Sequence, residues 1–183
     1  MLSSDDKKFL LALARETIEK FARNEKIEKP TKYPEVLNQN HGVFCTLTKN
    51  GNLRGCIGMP YPAMPLIKSL ISSACSACED SRFRPLREAE LKEIKIELSV
   101  LTEPNLIEAK GDAIIKSIKI GEDGLIIHYG PYSGLLLPQV AAEHKWSAEK
   151  FLDNLCIKAG LAEGMWRDPR AVIYKFQADV FSE

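Results

Sequence analysis

The sequence predicts an α+β protein with mainly antiparallel sheets flanked by helices. Val43–Thr48 and Leu53–Ile57 flank Asn50-Gly51, the strongest short-range signal for a two-residue hairpin turn. Ile94–Val100 alternates apolar and polar residues, the period of a half-buried strand. Helical patterns fall between groups of strands rather than after every strand, which opposes a doubly wound parallel sheet.

In chain order, Ser4 is positioned to cap a first helix, with Asp5 and Asp6 favourable against its dipole. Leu10, Leu11, Ala14, Ile18, Phe21 and Ala22 recur at helical spacing to about Asn24. Pro30 and Pro34 mark a connector before the hairpin Val43–Gly58. Pro60, Pro62 and Pro65 end its second strand and lead into a helix with Ile67, Leu70, Ile71, Ala74, Cys75 and Cys78 on one side. Ser81–Leu86 is a polar and basic loop, followed by the strand Ile94–Val100. Ala113–Ile118 reads as a short helix, and Gly124–Tyr129 and Gly134–Leu137 as strands joined around Gly130-Pro131. Gln139–His144 continues as a helix. Ser147 caps another, with Phe151, Leu152, Leu155 and Cys156 inward and Gly160 past its end. Ala171–Val180 reads as one terminal strand.

Composition narrows the function classes. The chain has 183 residues, enough for one domain or two small subdomains sharing a core. Lys+Arg and Asp+Glu both number 25, which opposes extended nucleic-acid binding but leaves room for a local anion site. No apolar run approaches the ~20 residues of a membrane span. The N-terminus lacks a signal-peptide pattern, and the five cysteines sit in apolar surroundings, so a reduced, cytoplasmic protein is expected.

The hairpin carries the clearest chemistry. A type I′ turn at Asn50-Gly51 pairs Lys49 with Asn52, Leu47 with Arg54 and Cys45 with Cys56. Val43, Cys45, Leu47, Arg54 and Cys56 then share one face, and Phe44, Thr46, Thr48, Leu53 and Ile57 the other. Leu53 and Ile57 would pin the strand to the core. A Gly51-Asn52 turn would slip this register. A guanidinium beside a thiol favours the reactive thiolate. Gly55 and Gly58 admit close approach of a backbone or a ligand. On chemistry alone, Cys45 and Cys56 read first as small apolar strand residues.

Other candidates have bland readings as well. Cys75 and Cys78 have redox-motif spacing but lie late on an apolar helix stripe, which favours core packing. The spacing of Cys45, Cys56, Cys75 and Cys78 is not that of a zinc knuckle, so no metal is expected. Arg82 and Arg84 flank Phe83 either as a solvated turn or as an anion clamp. Gln139 and Glu143 are four apart on a helix, where an amide and a carboxylate would orient a substrate or a histidine. Otherwise that helix is surface structure with Trp146 packing on Phe151. His128 is a lone strand histidine. No Ser-His-Asp order, phosphate loop, dinucleotide fingerprint or His-Glu-x-x-His motif is present.

Leu53-Arg54-Gly55-Cys56-Ile57-Gly58 resembles the signature of the AMMECR-type domain family, named for a human protein linked to Alport syndrome, midface hypoplasia and elliptocytosis. Similar blocks follow in the family's order: Ser81–Leu86, Ile96–Leu101, Gly124-Leu125, Leu136–Ala141 with Glu143 and Trp146, and Cys156–Leu161 with Trp166. One departure is Ser81, where the family more often has proline before Arg-Phe. The resemblance implies one domain over residues 1–183, built as two α+β subdomains with a cleft between them and the hairpin near their interface. It also implies association with Memo-type and radical-SAM proteins. It supplies no reaction and no cofactor.

Two functional expectations follow. In the first, the protein is an enzyme with Cys56, Arg54 and Glu143 as catalytic groups. Gly55, Gly58, Arg82, Gln139, Glu97 and His128 would then bind an unknown small molecule, with Glu97, Glu143, His128 or His144 as proton carriers. In the second it is a non-catalytic interaction or scaffold module, with Arg54 paired to a core carboxylate such as Glu97.

Overall fold

The computed structural model describes residues 2–183. Its contacts divide the chain into two units, residues up to Leu101 with Asp179–Glu183, and Thr102–Ala178.

The first unit opens with helix α1, Ser4–Ala22. Its cap is Ser3 rather than Ser4, because Asp6 can reciprocate only with Ser3. The Ser3 hydroxyl accepts the Asp6 N–H at 3.1 Å, and the Ser3 N–H donates to Asp6 Oδ2 at 2.9 Å. Asn24, at φ 56°, lies past the helix end. The connector contains a 3-10 turn, Glu35–Asn38. Strands β1 (Gly42–Lys49) and β2 (Asn52–Met59) form the hairpin, and helix α2 spans Leu66–Cys78. A 3-10 turn, Glu88–Glu90, precedes β3 (Ile94–Leu101). The sheet order is β2-β1-β3-β8, where β8 is Ala178–Ser182, so β2 is an edge strand.

The sheet buries one face. Val43, Cys45 and Leu47 lie beside Val100, Leu98 and Ile96, and all six pack with Leu10, Ile18, Leu70 and Ala74 of the two helices. The other face carries Phe44, Thr46 and Thr48 beside Ser99, Glu97 and Lys95.

The turn forms as the sequence predicts, with φ 52° at Asn50 and 78° at Gly51, and Lys49 pairs with Asn52. Beyond it the predicted register fails. Thr48 pairs with Leu53, but Leu47 pairs with Gly55, so Arg54 is the extra residue of a β-bulge. Thr46 therefore faces Cys56, and Cys45 faces Ile57. A bulge reverses every facing beyond it, since side chains alternate with period two. Ile57 packs on the core as expected, but Leu53 is 43% exposed and pins nothing. Gly55 shows what the bulge accommodates. A Cβ there would lie 2.2 Å from the Ala77 carbonyl oxygen, so the last turn of α2 sits directly on the strand.

The second unit has the sheet order β4-β7-β5-β6, with β4 Asn105–Leu106, β5 Gly124–Tyr129, β6 Tyr132–Leu136 and β7 Val172–Phe176. A 3-10 helix spans Gly111–Ser117, and helices α3 (Pro138–Glu143) and α4 (Ala148–Lys158) follow β6. Ser147 caps α4 by accepting the Lys150 N–H. Phe151, Leu152, Leu155, Leu125, Ile127, Ile173 and Trp166 form the core. Trp166 donates its indole N–H to Asp153 at 2.9 Å.

The predicted terminal strand Ala171–Val180 is two strands, β7 and β8, in different sheets. Period two runs on through Gln177, so alternation gives no sign of the switch. The break is made by Thr102, which accepts the Gln177 N–H on its hydroxyl and donates its own N–H to the Gln177 carbonyl, each at 2.9 Å. Among the described residues no helix is long and apolar enough to cross a membrane.

Candidate functional site

Cys56 sits on the sheet face away from the helices. Thr46, across the pair from it, donates its hydroxyl to Sγ at 3.2 Å. Glu97 neighbours Thr46 on β3, so Cys56, Thr46 and Glu97 form one row across three strands. All three are half-buried.

The backbone of Cys56 is held from the open side of β2. Its N–H donates to Asp80 Oδ2 at 2.9 Å, and its carbonyl accepts from Arg82 Nη2 at 3.4 Å. Asp80 also accepts from the Arg82 N–H at 3.1 Å, from Nε at 3.0 Å and from Nη2 at 2.6 Å. The Asp80 side chain is 2% exposed, and that of Arg82 is 53% exposed. The Arg82 guanidinium holds the Asp80 carboxyl well below the usual carboxylate range, against the opposing effect of burial. An Asp-x-Arg unit thus ties off the edge strand at one residue.

Arg54 is not the charge partner of Cys56. The bulge sends its side chain to Glu90, which it grips with Nε and Nη2, each at 2.9 Å, while Nη2 also donates to the Arg84 carbonyl at 2.9 Å. This pairing holds Glu90 down at about 2. The non-catalytic reading expects a core carboxylate such as Glu97 in this role, and Glu90 takes it. Gly55 meets the Ala77 carbonyl, and Gly58 lies under the Phe44 ring, so both glycines admit protein atoms.

The other thiols are poor nucleophile candidates. Burial pushes Cys78 up to about 12 and raises Cys45, Cys75 and Cys156. All five are free, and among the described residues no three His, Cys, Asp or Glu side chains are placed to hold a metal.

Four predicted residues belong to the second unit. His128 lies in β5 opposite Ser133, its ring edge-on to Tyr174 at 5.9 Å. Gln139 is in the first turn of α3, with Oε1 buried and without a hydrogen-bond partner among the described residues. Glu143 ends the same helix and is exposed. His144 stacks on Trp146 at 4.7 Å.

Sequence reasoning missed Asp80, Thr46 and Glu90. Asp80 had a local signal, since a carboxylate two residues before an arginine closes a short loop. Thr46 was hidden by the bulge.

The chain has clear relatives. A protein-family model described as AMMECR1 matches residues 11–181. A protein of Methanothermobacter thermautotrophicus is 48% identical over 185 residues, covering 100% of this chain and 96% of the relative. One of Methanocaldococcus jannaschii is 45% identical over 187 residues, covering 100% and 92%. The crystal structure of an uncharacterised protein from Pyrococcus horikoshii superposes with a TM-score of 0.95 at 41% identity, covering 100% of this chain and 93% of the other. The family match spans nearly the whole sequence, including the signature strand and the Asp80–Arg82 clamp, and the chain belongs to the AMMECR1 family.

Proposed function

We propose that the protein is a thiol-dependent enzyme acting on a small molecule, with Cys56 as its nucleophile. One observation carries this. Of five thiols, Cys56 alone combines incomplete burial, a hydroxyl donor on its sulfur and a buried clamp fixing its backbone among the described residues. Thr46 would stabilise the thiolate by its hydrogen bond, Arg82 would supply positive charge beside it, and the thiol proton would pass to solvent.

A second reading is a non-catalytic interaction module working with Memo-type or radical-SAM proteins. Arg54 and Gly55 favour it, because Glu90 and Ala77 engage them inside the fold.

Limiting iodoacetamide followed by peptide mapping separates the two. The enzyme reading predicts that Cys56 is carboxamidomethylated first and that Cys56→Ser folds normally but loses the fast label. Labelling of Cys75 at the same rate as Cys56 contradicts it.

A further inference from the structure

Beside the Arg54–Glu90 pair lies a hollow of about 380 Å³, lined by Arg54, Phe83, Arg84, Pro85, Arg87, Ala89 and Glu90. This volume falls within the range of small-molecule sites. Its charge is lopsided. Three arginines line it against one carboxylate, and Glu90 is occupied by Arg54, by the Arg87 N–H at 3.2 Å and by Lys49. The Arg84 and Arg87 guanidinia are exposed and join no ion pair among the described residues. Three positive and one negative group leave a net charge of two on the lining.

Arg54 adds a second, independent observation. Glu90 and the Arg84 carbonyl take three of its five guanidinium N–H groups. Its Nη1 is buried with no hydrogen-bond partner among the described residues, and the guanidinium lies over the Phe83 ring at 5.8 Å. A buried charged donor without an acceptor is costly, and native structures rarely leave one without a reason. Phe83, Pro85 and Ala89 give the hollow an apolar wall.

We infer that this hollow binds a phosphate-bearing small molecule, with Arg84 and Arg87 forking the phosphate in front of the Arg54–Glu90 pair. A phosphomonoester carries about −1.5 to −2 at neutral pH, which matches the two unpaired guanidinia where a monocarboxylate does not. Arginine forks suit its oxygens. The organic part would lie on Phe83 and Pro85. The site does not depend on Cys56 being a nucleophile.

Isothermal titration with inorganic phosphate, AMP and acetate at matched ionic strength tests this. Phosphate and AMP bind saturably, and acetate binds at least about tenfold more weakly. AMP binding more tightly than phosphate identifies an organic phosphate, and equal affinity identifies phosphate itself. Arg84→Gln/Arg87→Gln leaves the melting temperature unchanged and weakens both ligands by at least about tenfold, since it removes two charge-assisted contacts. Cys56→Ser retains full binding, so this result is independent of the thiol chemistry. No saturable binding of phosphate or AMP overturns the inference. So does acetate binding as tightly as phosphate, or undiminished binding in the double variant.

Discussion

Asp80, with a side chain 2% exposed, accepts the backbone N–H of Cys56 at 2.9 Å while Arg82 closes over both. A buried carboxylate is costly unless every oxygen is engaged. Here two Arg82 side-chain nitrogens and two backbone N–H groups satisfy it. Asp80→Asn keeps the shape but loses the charge. It is expected to destabilise the fold by on the order of 2 kcal/mol in urea denaturation, the scale of a broken charge-assisted network. Loss of the clamp also loosens Cys56, so the Cys56 amide exchanges hydrogen faster in the variant.

Arg54→Ala leaves Glu90 without its bidentate partner in a site where its side chain is 20% exposed. Loss of about 2–4 kcal/mol in urea denaturation is expected, with part recovered by Arg54→Lys, which keeps the charge and loses the fork. A cost below about 0.5 kcal/mol, the level of an ordinary surface change, would remove Arg54 as a structural clamp.

Two glycines of the hairpin make opposite predictions. Gly55→Ala drives a Cβ into the Ala77 carbonyl and should prevent folding or cost more than about 3 kcal/mol by displacing α2. Gly51→Ala meets nothing within 4 Å among the described residues but holds φ 78°, so about 1 kcal/mol is expected. Thermal melts of the two variants compare them directly.

Acid should unfold the first unit through its paired carboxylates. Glu90 and Asp80 both titrate lower in the folded chain than in the unfolded one. Their contribution is full above the unfolded carboxylate range and is lost as pH falls through the folded values. For Glu90 the window runs from 4.5 down to about 2. Urea midpoints should be flat above about pH 5.5 and fall below it, and Glu90→Gln should flatten the fall.

Local chemistry made much of this fold legible. Asn50-Gly51 is a turn because both residues tolerate positive φ, and Ser147 is a cap because its hydroxyl reaches the Lys150 N–H. The bulge at Arg54 was not legible. It follows from α2 resting on Gly55, a contact between residues 22 apart in sequence, and alternation carries no trace of it. The same slip moved Cys56 from Cys45 to Thr46 and Arg54 from Cys56 to Glu90. The signature strand was therefore found, but its partners were misassigned. The division of Ala171–Val180 between two sheets was hidden for a related reason, since its pattern is continuous.

Thr46→Val removes the hydroxyl that donates to Cys56 Sγ and keeps the side-chain volume. Alkylation of Cys56 at pH 7 should slow by about five- to tenfold, the effect of one hydrogen bond to a charged group, with little change in melting temperature. Unchanged alkylation would show that this contact does not activate the thiol.

The most direct test of Cys56 as nucleophile is its second-order rate with iodoacetamide at pH 7, in the native protein and in the same protein unfolded in urea. The native rate should be at least about tenfold higher, because only an environment that favours thiolate overcomes partial burial. A native rate equal to or below the unfolded rate would contradict the account and leave Cys56 as a packing residue of the edge strand.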